Sequence, residues 1–280
     1  MIGIIGGTGL YKIDGFQNVT SKKVETPFGA PSAEITMGEI SGHRVAFLPR
    51  HGASHQILPS EINFRANIWA LKSVGVRRII SVSAVGSLKE EIHPGDLSIP
   101  SQYLDWTKGR RAGTFFGDGI VAHVSTAHPS CPALAQKIVS HAETLGTLVH
   151  SGKTYGCVEG PRLGTRAESL FLQQSGCDLV GMTNVPEVFL AREAQLCYCT
   201  IAVATDYDCW LNDPSQHASV EKVIELYQKN IGRVQELIKK VVRVDEASSC
   251  ECRSSLKHAV LTKEEALPEE KRRTLAFLRE

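Results

Sequence analysis

Short apolar runs recur along the chain and end in glycine or polar residues, a pattern typical of buried strands that lead into loops. The first run, Ile2-Gly-Ile-Ile5, stops at Gly6-Gly7-Thr8-Gly9. Segments at about 33–39 and 44–49 are joined by Ser41-Gly42 and predict two neighbouring strands. Further strands are predicted at about 78–83, 97–100, 178–182 and 198–204.

Segments with helical periodicity alternate with these runs. Thr165 and Glu168 form a capping-box pattern at the start of one such segment. The longest segment, 219–244, has an apolar side made of Val220, Val223, Ile224, Tyr227, Ile231, Val234, Leu237 and Ile238. Helices are predicted at about 60–74, 132–145, 165–175, 186–195 and 219–244, with a further surface helix in the charged segment from about 263.

The alternation of strands and helices predicts a single α/β domain with a central mixed, mostly parallel twisted sheet flanked by helices. We assign this domain to residues 1–245 and a charged C-terminal tail to 246–280. The tail is expected to be helical and to pack on the domain or on a neighbouring subunit. In such sheets ligands bind at the carboxyl ends of the strands, so a site is expected there.

Composition narrows the functional class. The 280 residues are 42% apolar and 22% charged, and the formal net charge of +1 does not favour a nucleic-acid or membrane surface. The sequence contains no run of about 18 apolar residues, so no membrane span is expected. The pattern at the N-terminus predicts a core strand rather than a signal peptide. We therefore expect a cytoplasmic protein without nucleic-acid or membrane partners.

Eight cysteines are present: Cys131, Cys157, Cys177, Cys197, Cys199, Cys209, Cys250 and Cys252. Most lie in apolar surroundings, which favours small buried side chains. There is no CxxC pair and no Cys/His spacing typical of zinc, so no metal site is expected. Cys250-Glu-Cys252 is the exception.

Several polar groups directly follow predicted strands. Gly6-Gly7-Thr8-Gly9 offers backbone N–H groups and a hydroxyl to an anion, although a tight turn explains it equally well. Arg50 beside His51 places a guanidinium, which pairs bidentately with phosphate, next to a titratable ring, although such pairs are more often solvated. Asp206 and Asp208 can perform acid/base chemistry, bind a metal or cap a turn, but few other metal ligands lie nearby in sequence.

Taken together, these and other segments resemble the methylthioadenosine phosphorylases, a branch of the trimeric purine nucleoside phosphorylases. The most specific match is Ala204-Thr-Asp-Tyr-Asp-Cys-Trp210. The other matching segments, in family order, are 3–10, 26–29, 50–52, 67–72, 84–96, 159–162, 166–169 and 182–187.

The resemblance implies that phosphate attacks the anomeric carbon of a purine nucleoside and releases the free base. The only co-substrate implied is inorganic phosphate, with no metal or organic cofactor. By position, the phosphate site comprises Thr8, Arg50, His51, Ser83, Ala84 and Thr183. The nucleoside is expected to contact Met182, Leu163, Asp206, Asp208, Val220, Val223 and His123.

Within this set the resemblance implies distinct roles. Asp206 faces the imidazole-ring nitrogen of the purine and supplies or shares a proton, while Asp208 accepts a hydrogen bond from the six-amino group. Val220 and Val223 belong to the apolar pocket for a 5′-methylthio group. Relatives often carry Phe where this chain has Leu163, and those that prefer 6-oxopurines carry Glu where it has Gly164. Gly164, Asp208 and Val220 are therefore expected to determine specificity, with methylthioadenosine as the main substrate.

Three alternatives remain open. A phosphorylase for adenosine, inosine or methylthioinosine would share the fold, a hydrolytic nucleosidase would cleave without phosphate, and a non-catalytic nucleotide-binding module would lack the converging polar groups.

His123 resembles a residue contributed by a neighbouring subunit, which implies a homotrimer or a dimer of trimers. The Cys250/Cys252 pair resembles one that can form a disulfide in heat-stable relatives, and the alternative, which we favour, is two free thiols on a mobile tail.

Overall fold

The structure is a computed structural model that describes residues 1–7, 10, 15–213, 216–243 and 250–280. The strands are β1 (Ile2–Gly6), β2 (Phe16–Lys22), β3 (Ile35–Ile40), β4 (His43–Pro49), β5 (Arg78–Ser87), β6 (Leu97–Trp106), β7 (Val149–Val158), β8 (Leu179–Gly181) and β9 (Cys197–Asp206). The α-helices are α1 (Phe64–Ser73), α2 (Pro132–Thr144), α3 (Arg166–Gln174), α4 (Asn184–Glu193), α5 (Val220–Val241) and α6 (Glu269–Arg279).

The strands form one mixed sheet in the order β2-β3-β4-β1-β5-β8-β7-β6-β9. An additional pairing between β5 and β9 closes its last five strands into a ring. Strand β1 runs parallel to β4 and β5, and β5 runs parallel to β9. Antiparallel pairs occur at β2–β3, β3–β4, β5–β8 and β6–β9. The predicted α/β fold with a mixed, mostly parallel sheet is confirmed.

Hydrophobic cores lie on both faces of the sheet. Alternate residues of β9 belong to different clusters, because successive side chains of a strand point to opposite faces. On one face Tyr198 packs in a cluster with side chains of α1, α4 and α6. On the other, Ile201 packs in a cluster with side chains of α2 and α5. Because helices cover both faces of the sheet, the polar residues at the ends of its strands lie at the edge of the sheet, where a ligand site can form.

Two strands were missed by the hydrophobic pattern. Strand β2, from Phe16 to Lys22, is exposed at nearly every position, and β7 is half-buried or exposed over its first six residues and fully buried only at 155–157. Neither contains a continuous apolar run, so the local signal is absent. The helix predicted from about residue 60 begins later, because Asn63 accepts a hydrogen bond from the Ala66 N–H and caps α1.

The longest helix, α5, buries only part of its predicted apolar face. Val234, Leu237 and Ile238 are fully buried, but the side chains of Val220 and Ile224 are 66% and 51% exposed. The periodicity identifies residues that share a face without identifying what covers it. Among the described helices, none combines the length and the apolar character needed to cross a membrane.

The C-terminal segment 250–280 packs on the rest of the chain. Leu256 and Leu278 are buried, and the Lys72 ammonium donates to the carbonyl oxygens of Ala194 and Leu278 at 2.8 and 3.0 Å. The eight cysteines are free thiols. The expectation that Cys250 and Cys252 lie on a mobile tail is wrong, because Cys252 is 3% exposed and packs in the core.

Ile224 and Ile238 offer a matched test of the packing of α5. Replacing Ile238 by Ala should lower the free energy of unfolding by about 2–5 kcal/mol, because it leaves a cavity in the core. The same change at Ile224 should cost less than about 0.5 kcal/mol, since that side chain is half exposed. Urea unfolding of the two variants measures the difference, and equal losses would show that the beginning of α5 is covered in solution.

Candidate active site

Strand β5 brings the ends of three neighbouring strands together. In the parallel register of β1 and β5, Ile5 pairs with Ser81, so Gly6 and Gly7 continue alongside Val82 and Ser83. The end of β4 lies beside them, because the Arg50 N–H donates to the Gly6 carbonyl oxygen at 3.0 Å. These strand ends form one end of the candidate site.

The segment after β8 approaches β5 from the other side. Strand β8 is antiparallel to β5 and pairs Val180 with Gly86, so the chain beyond Gly181 runs back toward Ser83. A Cβ at Gly181 would lie 2.1 Å from the hydroxyl oxygen of Tyr155, which makes this close approach possible only for glycine. The following residues, Met182 and Thr183, are thereby delivered to the site.

Arg50 lies in a buried ion pair. Its Nε and Nη2 donate to the two carboxylate oxygens of Glu187 at 2.8 and 2.9 Å, and both side chains are at most 2% exposed. Nη2 also donates to Ser81 Oγ at 2.6 Å, and Nη1 donates to the Val82 carbonyl at 3.1 Å. One of the five guanidinium hydrogens remains outside these contacts. Glu187 therefore occupies the two parallel donors of Arg50, and the role of Arg50 as a phosphate ligand stays a prediction.

Further hydrogen bonds extend this ion pair. The Tyr198 hydroxyl donates to Glu187 at 2.8 Å, and the Asn184 amide donates to Ser81 Oγ and to the Tyr198 hydroxyl oxygen, each at 3.2 Å. Burial by itself would lower the pKa of Arg50, but the charge and hydrogen bonds of Glu187 raise it above its ordinary value. Arg50 thus stays cationic, and its hydrogen bonds hold the guanidinium in one position at the buried side of the candidate site.

His51 follows Arg50 and is neutral at physiological pH. Burial and, next in size, the charge of the neighbouring Arg50 lower the pKa of the ring to about 4. Nδ1 lies 2.9 Å from the Ile57 carbonyl oxygen, so it carries the proton, and the lone pair is left on Nε2. The ring also stacks on His55 with centroids 4.6 Å apart.

Ser83 provides a buried hydroxyl in this region. Its Oγ has no hydrogen-bond partner among the described residues, and Ser83 is only 7% exposed, so solvent has little access to this hydroxyl. A buried hydroxyl without a partner is costly unless a ligand supplies one. Ala84 is half-buried and Thr183 is buried. Thr8, which was also predicted to bind phosphate, lies outside the described residues.

Asp206 and Asp208 lie beyond Ser83 along the same strand edge. Asp206 pairs with Gly86 of β5, and its carboxylate accepts hydrogen bonds at 2.7 Å from the Thr205 hydroxyl and from the Asp208 N–H. Burial raises the pKa of both carboxyls above the ordinary value. Both groups therefore bind a proton more readily than an exposed aspartate.

Two glycines leave space beside these carboxylates. A Cβ at Gly86 would lie 3.0 Å from Asp206 Oδ1, and a Cβ at Gly164 would lie 3.7 Å from Asp208 Oδ2. Asp208 also adopts a left-handed backbone conformation with φ of 51°. Non-glycine residues rarely adopt it, and such strain is often found at functional sites.

The other predicted contacts are more peripheral in the single chain. Leu163 is 40% exposed, and Val223 is half-buried, while Val220 is the most exposed of the three. His123 is exposed on a loop whose backbone N–H donates to the Ala259 carbonyl oxygen at 2.9 Å. The described contacts do not join these side chains to the Asp206–Asp208 region, so their roles remain predictions.

Sequence reasoning missed a second buried ion pair that shapes the site. Arg111 Nε donates to Glu159 at 2.8 Å, and its Nη1 donates to the carbonyl oxygens of Met182 and Val185 at 2.8 and 2.6 Å. The pair therefore fixes the turn that carries Thr183. Glu159 lies in a segment that matched the family, but Arg111 lies in a basic stretch that looks solvated, and only the tertiary fold buries it.

Comparison with known proteins shows the family to which the chain belongs. Residues 1–243 match the phosphorylase superfamily. An S-methyl-5′-thioadenosine phosphorylase from Geobacter sulfurreducens is 49% identical over 279 residues, which cover 99% of this chain and 97% of that protein. The crystal structure of a methylthioadenosine phosphorylase from an antarctic soil metagenomic library is 46% identical and superposes with a TM-score of 0.93, covering 99% of this chain and 98% of the other.

A third relative was solved with a ligand. A mutant of the adenosine/methylthioadenosine phosphorylase of Schistosoma mansoni, in complex with methylthioadenosine, is 38% identical. It superposes with a TM-score of 0.81, and the match covers 86% of this chain and 90% of the other.

The titration of His51 tests the proposed burial of its ring. We expect the ring to stay neutral until the pH approaches about 4. Because the unfolded ring binds its proton near pH 6.5, the contribution of His51 to stability should decline as the pH falls from about 6.5 to about 4. Imidazole NMR signals, assigned by comparison with His51→Asn, would report the titration, and a midpoint near 6.5 would show that the ring is solvated.

Proposed function

The chain belongs to the phosphorylase superfamily, and from this membership and the site geometry we propose that it cleaves S-methyl-5′-thioadenosine with phosphate. The products are adenine and 5-methylthioribose 1-phosphate, which suit purine and methionine salvage. The observation that carries the proposal is the placement along β5 of a buried, unpartnered hydroxyl at Ser83 and a pair of buried carboxyls at Asp206 and Asp208. The end at Ser83 suits phosphate, and the end at Asp206 and Asp208 suits the purine.

Phosphate binds at the end of the site formed by Ser83, Ala84 and Thr183, with Thr8 as a further proposed ligand. Ser83 donates its unpaired hydroxyl, and the remaining Nη1 hydrogen of Arg50 adds a charge-assisted hydrogen bond. His51 presents the lone pair of Nε2, which accepts a hydrogen bond from a protonated phosphate oxygen. Holding phosphate against the ribose removes much of the entropic cost of bringing the reactants together.

Asp206 assists departure of the base. Negative charge moves onto the purine as its bond to the ribose breaks, and a proton supplied to the imidazole-ring nitrogen stabilises that charge. The raised pKa of Asp206 makes its carboxyl suitable to carry this proton. The hydrogen bonds from Thr205 and the Asp208 N–H hold the carboxyl in place.

Asp208 selects the base. An ionised carboxylate only accepts hydrogen bonds, and adenine offers an amino donor at its sixth position, whereas hypoxanthine offers a carbonyl oxygen. Gly164 leaves room beside this carboxylate. Adenosine remains a candidate second substrate, because the solved Schistosoma relative is named for both adenosine and methylthioadenosine. Inosine and methylthioinosine are disfavoured by the same carboxylate.

The 5′-methylthio pocket is completed by a neighbouring subunit in our proposal. The exposed apolar side chain of Val220, with Val223 beside it and Leu163 near the base, would line the pocket. His123, exposed on its loop, would close it from the partner in a homotrimer or a dimer of trimers. We further propose a cytoplasmic location and a reaction that needs no cofactor besides the co-substrate phosphate.

The reaction itself is tested by following adenine release from methylthioadenosine with and without phosphate. Phosphorolysis predicts release only when phosphate is present, with the sugar 1-phosphate appearing in ³¹P NMR spectra in equal amount. An equal rate without phosphate would instead identify a nucleosidase. A folded protein that releases no adenine under either condition would identify a non-catalytic binding module.

Base selection is tested by Asp208→Asn, with Asp206→Asn as the matched control. The new amide can donate to a 6-oxo group, so the preference for methylthioadenosine over methylthioinosine in kcat/KM should fall by about ten-fold or more, corresponding to about 1–3 kcal/mol. Asp206→Asn should instead lower kcat on both substrates by about 10²-fold or more, since it removes the proton source. An unchanged substrate ratio in Asp208→Asn would contradict the assignment.

A further inference from the structure

Four cysteines from three distant segments meet at the opposite end of β9 from Asp206. Their Sγ atoms all lie within 4.8 Å of one another. We call this group the four-cysteine cluster, and it consists of Cys131, Cys197, Cys250 and Cys252. Cys131 precedes α2, Cys197 begins β9, and the other two belong to the C-terminal segment. The ten residues of β9 extend about 33 Å, so the cluster is remote from the proposed active site.

The spacing of the sulfur atoms suits tetrahedral metal coordination. Cys250 Sγ lies 3.4 Å from Cys197 Sγ and 3.6 Å from Cys131 Sγ. Four sulfurs bound to Zn²⁺ at about 2.3 Å lie about 3.8 Å apart in a tetrahedron. A disulfide requires a separation of about 2.0 Å and joins sulfurs only in pairs. The observed compact group of four therefore matches a single central ion better than it matches bonded pairs.

The surroundings of the cluster are basic. Arg78, Lys137 and Arg253 line a cavity together with three of its four cysteines. Arg192 Nη1 donates to Cys252 Sγ at 3.3 Å. A Zn²⁺ ion with four thiolates carries a net charge of −2, which these cations would balance. The cluster thus has the charge environment of a metal–thiolate centre.

The position of Cys131 suits a ligand that carries negative charge when a metal ion is bound. It lies at the amino end of the 13-residue helix α2, where the helix dipole stabilises negative charge. Three members of the cluster are at most 4% exposed, while Cys250 is half-buried and gives access from solvent.

We propose that the four-cysteine cluster binds one structural Zn²⁺ ion through four thiolates. The ion replaces the thiol protons, which pass to solvent, and no electron is transferred. Four protein ligands complete the tetrahedron, so no position is left for substrate. The ion would tie segment 250–280 to α2 and β9. That segment also pairs with the loop containing His123 through Ala259, so the metal supports the loop indirectly.

Metal content and thermal unfolding test the proposal on the full chain. Protein produced with added zinc and purified anaerobically without chelator should contain about one Zn²⁺ per chain by elemental mass spectrometry. Cys250→Ser/Cys252→Ser should lose this zinc, whereas Cys177→Ser, a buried cysteine outside the cluster, should retain it. After removal of metal, ZnCl₂ should raise the Tm of wild type and of Cys177→Ser but leave the Tm of the double variant unchanged.

Cobalt binding and thiol counting keep the proposal testable if the double variant does not fold. Co²⁺ added to the reduced, metal-free wild type should produce the intense near-ultraviolet and visible bands of a tetrahedral cobalt thiolate. Unfolding anaerobically purified protein with chelator should expose eight reactive thiols. Fewer than eight thiols would indicate a disulfide and overturn the proposal. Wild type with less than about 0.1 Zn²⁺ per chain, no cobalt thiolate bands and no Tm response would also overturn it.

Discussion

The buried ion pair between Arg50 and Glu187 is the interaction on which the site depends. It joins the end of β4 to α4, and Ser81, Asn184 and Tyr198 surround it with hydrogen bonds across β5 and β9. Removing one partner of such a pair typically costs about 3–5 kcal/mol, because the other charge is left buried without compensation. The pair therefore holds the strand ends in register as it places a cation beneath the proposed anion site.

This constraint has a chemical consequence. Because Glu187 occupies the paired donors of Arg50, only one guanidinium hydrogen remains for the proposed anion site, whose other proposed ligands include the Ser83 hydroxyl. A second pair, Arg111 with Glu159, fixes the turn after β8 in the same way. Substitution of either arginine would disturb positioning as well as charge, so activity losses alone would not identify a direct ligand.

The two ends of β9 have different proposed chemistry. Its carboxyl end presents Asp206 at the candidate active site, and its amino end presents Cys197 to the four-cysteine cluster. The strand between them is buried throughout. One buried strand thus carries a residue of the proposed active site at one end and a proposed metal ligand at the other. The separation allows the proposed metal site to contribute stability without constraining the choice of substrate.

The sequence by itself determined the strand–helix alternation, the mixed α/β fold and the family, because hydrophobic periodicity and contiguous motifs such as Ala204–Trp210 are local signals. The exposed strand β2, the ion pair of Arg111 and the four-cysteine cluster were decided only by the tertiary structure. The sequence around an arginine or a cysteine does not show whether its side chain is solvated or buried. Its partners come from segments more than 40 residues away, and only the folded chain brings them together.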